Sequence, residues 1–264
     1  MKIGIIQLTS VLDFRVNLEK IRKLLKQAKE EKIEAVFLPE VFYSMSNMIE
    51  PTPYLVEQGN EHFKNIQSLA KDFNLYLLGG SVATKEKGKI KNRNFNFDPK
   101  GKLLETYDKI HMFACDLSKT SAKVVINEAK TYTPGTQRKI LQIKNWKIGL
   151  SICFDLRFPE MYRQYYHEGA NLLSISSAFT VPTGKAHWHT LLRARAIENQ
   201  SYVVAAAQYG VHNERVSTYG HSLIINPWGE ILADAGEGEK LICAEIDLAE
   251  VKKVRERLLV PVDK

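Results

Sequence analysis

The stretch Lys147-Ile-Gly-Leu-Ser-Ile-Cys-Phe-Asp-Leu-Arg-Phe-Pro-Glu160 decides the reading of the fold. Lys147 to Ile152 is an apolar run of strand length, the pattern of a buried β-strand. Lys139 to Ile143 precedes it across Lys144-Asn-Trp146, so the two read as a hairpin. Beyond Cys153 the pattern changes to a helix over Phe158–His167, beginning about five residues past the strand end. A nucleophilic side chain on such a strand-to-helix turn stands exposed at a sheet edge. Backbone N–H groups there can stabilise an oxyanion.

Working outward, the same alternation continues. Lys2 to Leu8, Ala35 to Leu38 and Leu75 to Leu78 read as short buried strands. Between them Ile21, Leu24, Leu25 and Ala28 recur at helical spacing, and Phe63 to Phe73 is helical. Phe95-Asn-Phe97 and Leu103 to Tyr107 flank Asp98-Pro-Lys-Gly101, a hairpin signal with Pro and Gly at turn positions. Further strands are expected at Leu172 to Ile175, Tyr202 to Ala207, Ser222 to Ile225, Ile231 to Ala233 and Leu241 to Ile246. Helices are expected near Lys185–Asn199 and Leu248–Leu258. Strands alternating with helices, with hairpins inserted, predict an α/β layered domain with a mixed sheet. No Gly/Ser-rich or Pro-rich linker divides the chain, so 1–264 reads as one domain. Phe113 to Thr133 lacks periodicity, and a loop that long is usually functional.

Composition excludes several classes. With 264 residues, 44% hydrophobic and 25% charged, the chain can bury a full core and is not disordered. Three Cys make no disulfide framework, and the odd count suits a reducing compartment. The net charge of +7 invites a nucleic-acid partner. However, Glu19, Glu30, Glu31 and Glu34 interrupt the lysines around Lys20 to Lys32, as on a solvated helix face. Ile3 to Leu8 is too short for a secretory signal, and no run approaches membrane-spanning length. The expectation is a cytoplasmic protein that binds neither nucleic acid nor membrane.

Three strand ends carry chemistry-bearing residues: Phe37-Leu-Pro-Glu40, Tyr107-Asp-Lys-Ile-His111 and the Cys153 turn. Taken singly, each has an ordinary explanation: a solvated Glu, a surface Lys, a small core Cys. Together and in this order the segments resemble the nitrilase (carbon–nitrogen hydrolase) superfamily. The resemblance runs from Lys2-Ile-Gly-Ile-Ile-Gln7 to Pro261. It rests on Leu38-Pro-Glu40, Tyr107–His111, Cys153-Phe-Asp-Leu-Arg-Phe-Pro159, Ala186-His-Trp188 with Leu192-Arg-Ala-Arg-Ala-Ile-Glu198, Tyr219-Gly-His-Ser222 and Asn226-Pro-Trp-Gly229. It implies a four-layer α-β-β-α sandwich, usually assembled as a homodimer or higher homo-oligomer. It also implies catalytic roles for Glu40, Lys109 and Cys153, with Glu128 as a second carboxylate.

In that scheme Glu40 relays the Cys153 proton, Lys109 stabilises the oxyanion, and the Phe154 N–H is a second donor. Arg157 is a candidate clamp for a substrate carboxylate. Phe179 and Thr183, in the loop after Leu172 to Ser176, and Phe42 are candidates for the pocket wall. The implied substrate is a small-molecule ω-amide with an acidic end, of the α-ketoglutaramate or deaminated-glutathione type, and water is the second reactant. The alternatives are an N-carbamoyl amino acid hydrolase and a non-catalytic scaffold. No metal or organic cofactor is implied. His187 and His189 lie at i and i+2 on a helix and do not share a face. Cys243 reads as a strand core residue, and Cys115 as exposed.

Overall fold

The computed structural model describes residues 1–47, 49–116 and 125–260. In chain order, β1 (Lys2–Gln7), α1 (Phe14–Glu30), β2 (Ala35–Phe37), α2 (Glu61–Phe73) and β3 (Tyr76–Leu78) form the first alternation. Strands β4 (Ser81–Glu86), β5 (Lys89–Phe97) and β6 (Leu103–Asp108) make an antiparallel meander. The short strands β7 (Ala114–Asp116) and β8 (Val125–Asn127) follow. Next come β9 (Ile140–Ile143), β10 (Trp146–Ile152), α3 (Pro159–His167), β11 (Leu172–Ser177), α4 (Val181–Asn199) and β12 (Tyr202–Ala207). The chain continues with β13 (Tyr209–Val211), β14 (Ser217–Tyr219), β15 (Leu223–Ile225), β16 (Ile231–Asp234), β17 (Lys240–Glu245) and α5 (Leu248–Arg257).

Two mixed sheets result. One is ordered β17-β1-β2-β3-β5-β4, with β6 on β5; the other is ordered β16-β15-β12-β11-β10-β9. Within them β1–β2–β3 and β10–β11–β12 are parallel. Side-chain alternation explains the layering. Ile3, Ile5, Ala35, Phe37 and Leu78 enter the core shared with the second sheet. Their neighbours Ile6, Val36 and Leu77 pack with Ile21, Leu25, Ile66 and Leu69 of α1 and α2. Met161, Tyr162, Trp188 and Leu192 of α3 and α4 cover the other sheet. Both faces of each central sheet are therefore buried, giving α-β-β-α. Among the described residues no helix is long and apolar enough to cross a membrane.

The central strands lie where their apolar runs predict. Five features differ from the expectation or add to it. Helix α1 begins at Phe14, where Asp13 caps it by accepting from the Arg15 N–H. Helix α4 begins at Val181, so Pro182 and Thr183 belong to its first turn rather than to a loop. Strand β4 and the first half of β5 were not expected. Their buried apolar residues, Val82 and Ala83, are too few for a strand pattern, and ion pairs of Glu86, Lys91, Arg93 and Asp108 run across the remainder. In the aperiodic segment, β7 pairs with β8 and a 3-10 turn spans Glu128–Lys130, while 117–124 lie outside the described residues. Cys243 is half-buried rather than core, with its Sγ 3.2 Å from Glu31 Oε2.

Because Phe37 is 1% exposed between the two sheets, Phe37→Ala should cost about 3–5 kcal/mol in unfolding free energy. Substituting exposed Lys26 on α1 by Ala should change it by less than about 0.5 kcal/mol. Urea titration followed by circular dichroism checks both.

Candidate active site

The parallel strands β2, β10 and β11 deliver Glu40, Cys153 and Phe179 just past their carboxyl ends, the position where open α/β sheets bind ligands. The turn after β2 is tightly tied. The Val41 N–H donates to Ser81 Oγ at 3.1 Å, and Gln208 Nε2 donates to the Glu40 carbonyl at 2.9 Å. Val41 and Cys153 both adopt left-handed backbone, φ 48° and 49°. For a β-branched residue that conformation is rare, and each such residue costs about 1–3 kcal/mol. The surrounding hydrogen bonds hold both.

Asp155 fixes the Cys153 turn. Fully buried, it accepts from the Ile152 N–H at 2.9 Å, the Tyr107 hydroxyl at 2.7 Å and the His111 N–H at 3.0 Å. His111 Nδ1 lies 2.7 Å from the same carboxylate. One side chain thus binds the Cys153 turn to the segment that follows β6. That segment carries Lys109, whose N–H donates to the Asn92 carbonyl at 2.9 Å.

Lys109 is 0% exposed. Its Nζ lies 2.9 Å from Glu40 Oε1 and 2.7 Å from Glu128 Oε2. Asn92 Nδ2 donates to the same Glu40 Oε1 at 2.8 Å, and the Phe113 N–H donates to Glu128 Oε2 at 2.8 Å. Burial opposes the charge on Lys109, but Glu128 and Glu40 outweigh it and hold the ammonium well above its ordinary pKa. Burial pushes the Glu128 carboxyl up, against Lys109. Burial and the Glu40 charge also push the Cys153 thiol up, with Lys109 opposing. The Cys153 side chain is therefore a protonated thiol at neutral pH.

A cavity of about 310 Å³ opens onto this cluster. Glu40, Glu128 and Cys153 line it, with Phe154, Arg157, Phe179 and Thr183 from the expected set. Lys109 is held between the two carboxylates. Phe42 is the exception: it is 1% exposed in the other core, packed against Leu38 and Gly80. The strained turn at Val41 sends the next side chain away from the cavity. The guanidinium of Arg157 lies 5.4 Å from the Phe179 ring centroid and 5.8 Å from that of Phe154. Among the described residues it hydrogen-bonds to His187 Nδ1, at 3.3 Å. Thr183 Oγ1 is engaged by Thr180 Oγ1 at 2.8 Å.

Other wall residues were not singled out from the sequence, among them Asn92, Tyr132 and Arg215. Asn92 Oδ1 is buried without a hydrogen-bond partner among the described residues. Burial, Glu128 and Glu40 together push the Tyr132 hydroxyl up, so it stays protonated. Each stands in a polar stretch without periodicity. Cys115 also lines the cavity. The other histidines are engaged elsewhere, His111 with Asp155 and His212 with Ser10 and Thr218.

Lys109→Met should strand two buried carboxylates, at a cost of about 3–5 kcal/mol at neutral pH. The pH dependence has a definite sign. A carboxyl whose folded pKa lies above its unfolded value binds more protons folded than unfolded, so stability falls as pH rises through that window. Glu128 is already raised from 4.5. The deficit of the variant should therefore shrink as pH drops from neutrality toward that value, measured by urea unfolding at several pH values.

The family described as carbon–nitrogen hydrolase matches residues 2–256. An omega-amidase NIT2 from Xenopus tropicalis is 36% identical over 242 residues, 92% of this chain and 87% of that one. A deaminated glutathione amidase from Synechocystis is 37% identical over 257 residues, 96% and 94% of the two chains. The crystal structure of NitFhit from Caenorhabditis elegans superposes with a TM-score of 0.87 at 36% identity, covering 97% of this chain. This chain spans 63% of NitFhit, under two thirds of its length. With a family match over nearly its whole length and this sandwich fold, the chain belongs to the carbon–nitrogen hydrolase family.

Proposed function

We propose that the protein is an amidase that hydrolyses the ω-amide of a small carboxylate-bearing substrate through a Cys153 thioester. The observation that carries this reading is the buried Glu40–Lys109–Glu128 cluster sharing one cavity with Cys153. The amide specificity draws support from the omega-amidase and deaminated glutathione amidase relatives. The preference for an acidic end draws support from Arg157, a cavity-wall guanidinium with no carboxylate partner among the described residues. A substrate of the α-ketoglutaramate or deaminated-glutathione type meets both requirements. Three free cysteines suit a reducing compartment, and the reading includes a cytoplasmic homo-oligomer as the working form.

The chemistry follows from the hydrogen bonds. Glu40 Oε1 is held by Lys109 and Asn92, leaving Oε2 as the proton acceptor. Glu40 takes the Cys153 proton as sulfur attacks the amide carbon, and the carbonyl π pair moves to oxygen. Lys109 commits one N–H to each carboxylate and keeps a third for the oxyanion, with the Phe154 N–H as second donor. An oxyanion donor of this kind contributes about 10²–10³ in rate. The oxyanion then collapses, the C–N bond breaks, and Glu40 gives its proton to the leaving nitrogen. Ammonia departs and a thioester remains. Water attacks the thioester as Glu40 takes a proton from it. The C–S bond breaks and Glu40 returns that proton to sulfur.

Ammonia release should be measured over α-ketoglutaramate, deaminated glutathione, a neutral aliphatic amide and an N-carbamoyl amino acid. Wild type should turn over one of the acidic amides. Cys153→Ala should lose that activity while remaining folded. Arg157→Ala should raise KM about 10-fold or more for acidic amides and much less for the neutral one. Residual turnover in Cys153→Ala would overturn the nucleophile. An equal effect of Arg157→Ala on neutral amides would overturn the clamp.

A further inference from the structure

A second cluster lies outside the cavity. His189 on α4, His221 between β14 and β15, and Asp234 at the end of β16 converge although they are far apart in sequence. His189 Nε2 and His221 Nδ1 each lie 3.2 Å from Asp234 Oδ2, and His221 Nδ1 is also 3.1 Å from Asp234 Oδ1. All three potential ligand atoms lie within 4.8 Å of one another. The sequence pairing of His187 with His189 does not form: His187 meets Arg157, and His189 turns to residues that spacing could not supply.

We propose that His189, His221 and Asp234 form a binding site for a borderline divalent transition-metal ion of the zinc class. Two imidazole nitrogens and one carboxylate oxygen are a donor set that Zn²⁺ takes, with water completing a four-coordinate sphere. Bonds of about 2.0–2.1 Å place tetrahedral ligand atoms about 3.3 Å apart. The two histidine–carboxylate separations already match that edge. Only the two imidazoles need to approach each other, a small side-chain adjustment at partly solvent-exposed positions.

The supporting contacts favour fixed ligands. The Gly236 N–H donates to Asp234 Oδ1 at 2.7 Å and orients the carboxylate. Tyr219 stacks on His221 with ring centroids 4.4 Å apart, and Trp188 Nε1 donates to the His221 carbonyl at 2.6 Å. Without metal, each imidazole donates an N–H to Asp234. With metal, those nitrogens present lone pairs and the protons reside on the opposite ring nitrogens, so neutral histidines suffice. The ion would tie α4 to β16. It would stand beside Trp188, whose ring packs 4.8 Å from Phe179 on the cavity wall.

The test uses purified full-length protein titrated with Co²⁺, read by visible absorption, and with Zn²⁺, read by thermal unfolding. Wild type should bind one equivalent of Co²⁺ with visible ligand-field bands and no sulfur charge-transfer band. At a hundredfold excess over Kd, Zn²⁺ should raise Tm by about 5–10 °C. Cys153→Ala should retain both signals. His189→Ala, at a partly exposed helix position, and Asp234→Asn should each lose them. Absence of uptake by wild type would overturn the proposal. So would retention of binding in His189→Ala and Asp234→Asn, or a thiolate band that disappears in Cys153→Ala.

Discussion

A buried lysine between two buried glutamates is the constraint on which the site depends. Taking three charges out of water is expensive, and their mutual attraction offsets this only when geometry and hydrogen bonds are good. Here the geometry is good: Lys109 meets both carboxylates, Asn92 supports Glu40, and the Phe113 N–H supports Glu128. Apolar replacements of buried ion pairs are often neutral or stabilising, so stability alone does not account for the cluster. The arrangement keeps one cation and two carboxylates in one cavity with a protonated thiol.

The fold positions this cluster by bringing strand ends together. Glu40 and Cys153 leave different sheets, and each passes through a residue with left-handed backbone. Gln208 links the Glu40 turn to the end of β12, while Asp155 links the Cys153 turn to the chain carrying Lys109. These cross-links fix the two turns relative to each other and to the Lys109 segment. Burial keeps the Cys153 thiol protonated at rest. In the proposed mechanism its reactivity depends on Glu40 accepting that proton.

Much of this was legible in the sequence, for physical reasons that differ by element. Strands β1, β2, β10, β11 and β12 are buried on both faces, so they read as continuous apolar runs. Strand β4 and the first half of β5 were not legible, because an edge hairpin dressed with Glu86, Lys91 and Arg93 leaves only the short buried pair Val82-Ala83 as an apolar signal. Glu40, Lys109, Glu128 and Cys153 were legible as motifs, but no spacing rule joins residues this far apart in the chain. Phe42 was misplaced because strand alternation does not survive the reversed backbone at Val41. Asn92, Tyr132 and Arg215 stayed hidden because only the fold turns those polar positions toward the cavity.

The central claim is that acyl transfer passes through sulfur on Cys153. Rapid quenching of wild-type enzyme into acid during turnover, followed by peptide mass spectrometry, tests it directly. The account predicts a peptide containing Cys153 that carries the mass of the substrate acyl group, lost on brief treatment with hydroxylamine. Steady turnover with an unmodified Cys153 peptide, or an acyl group on another residue, would contradict it.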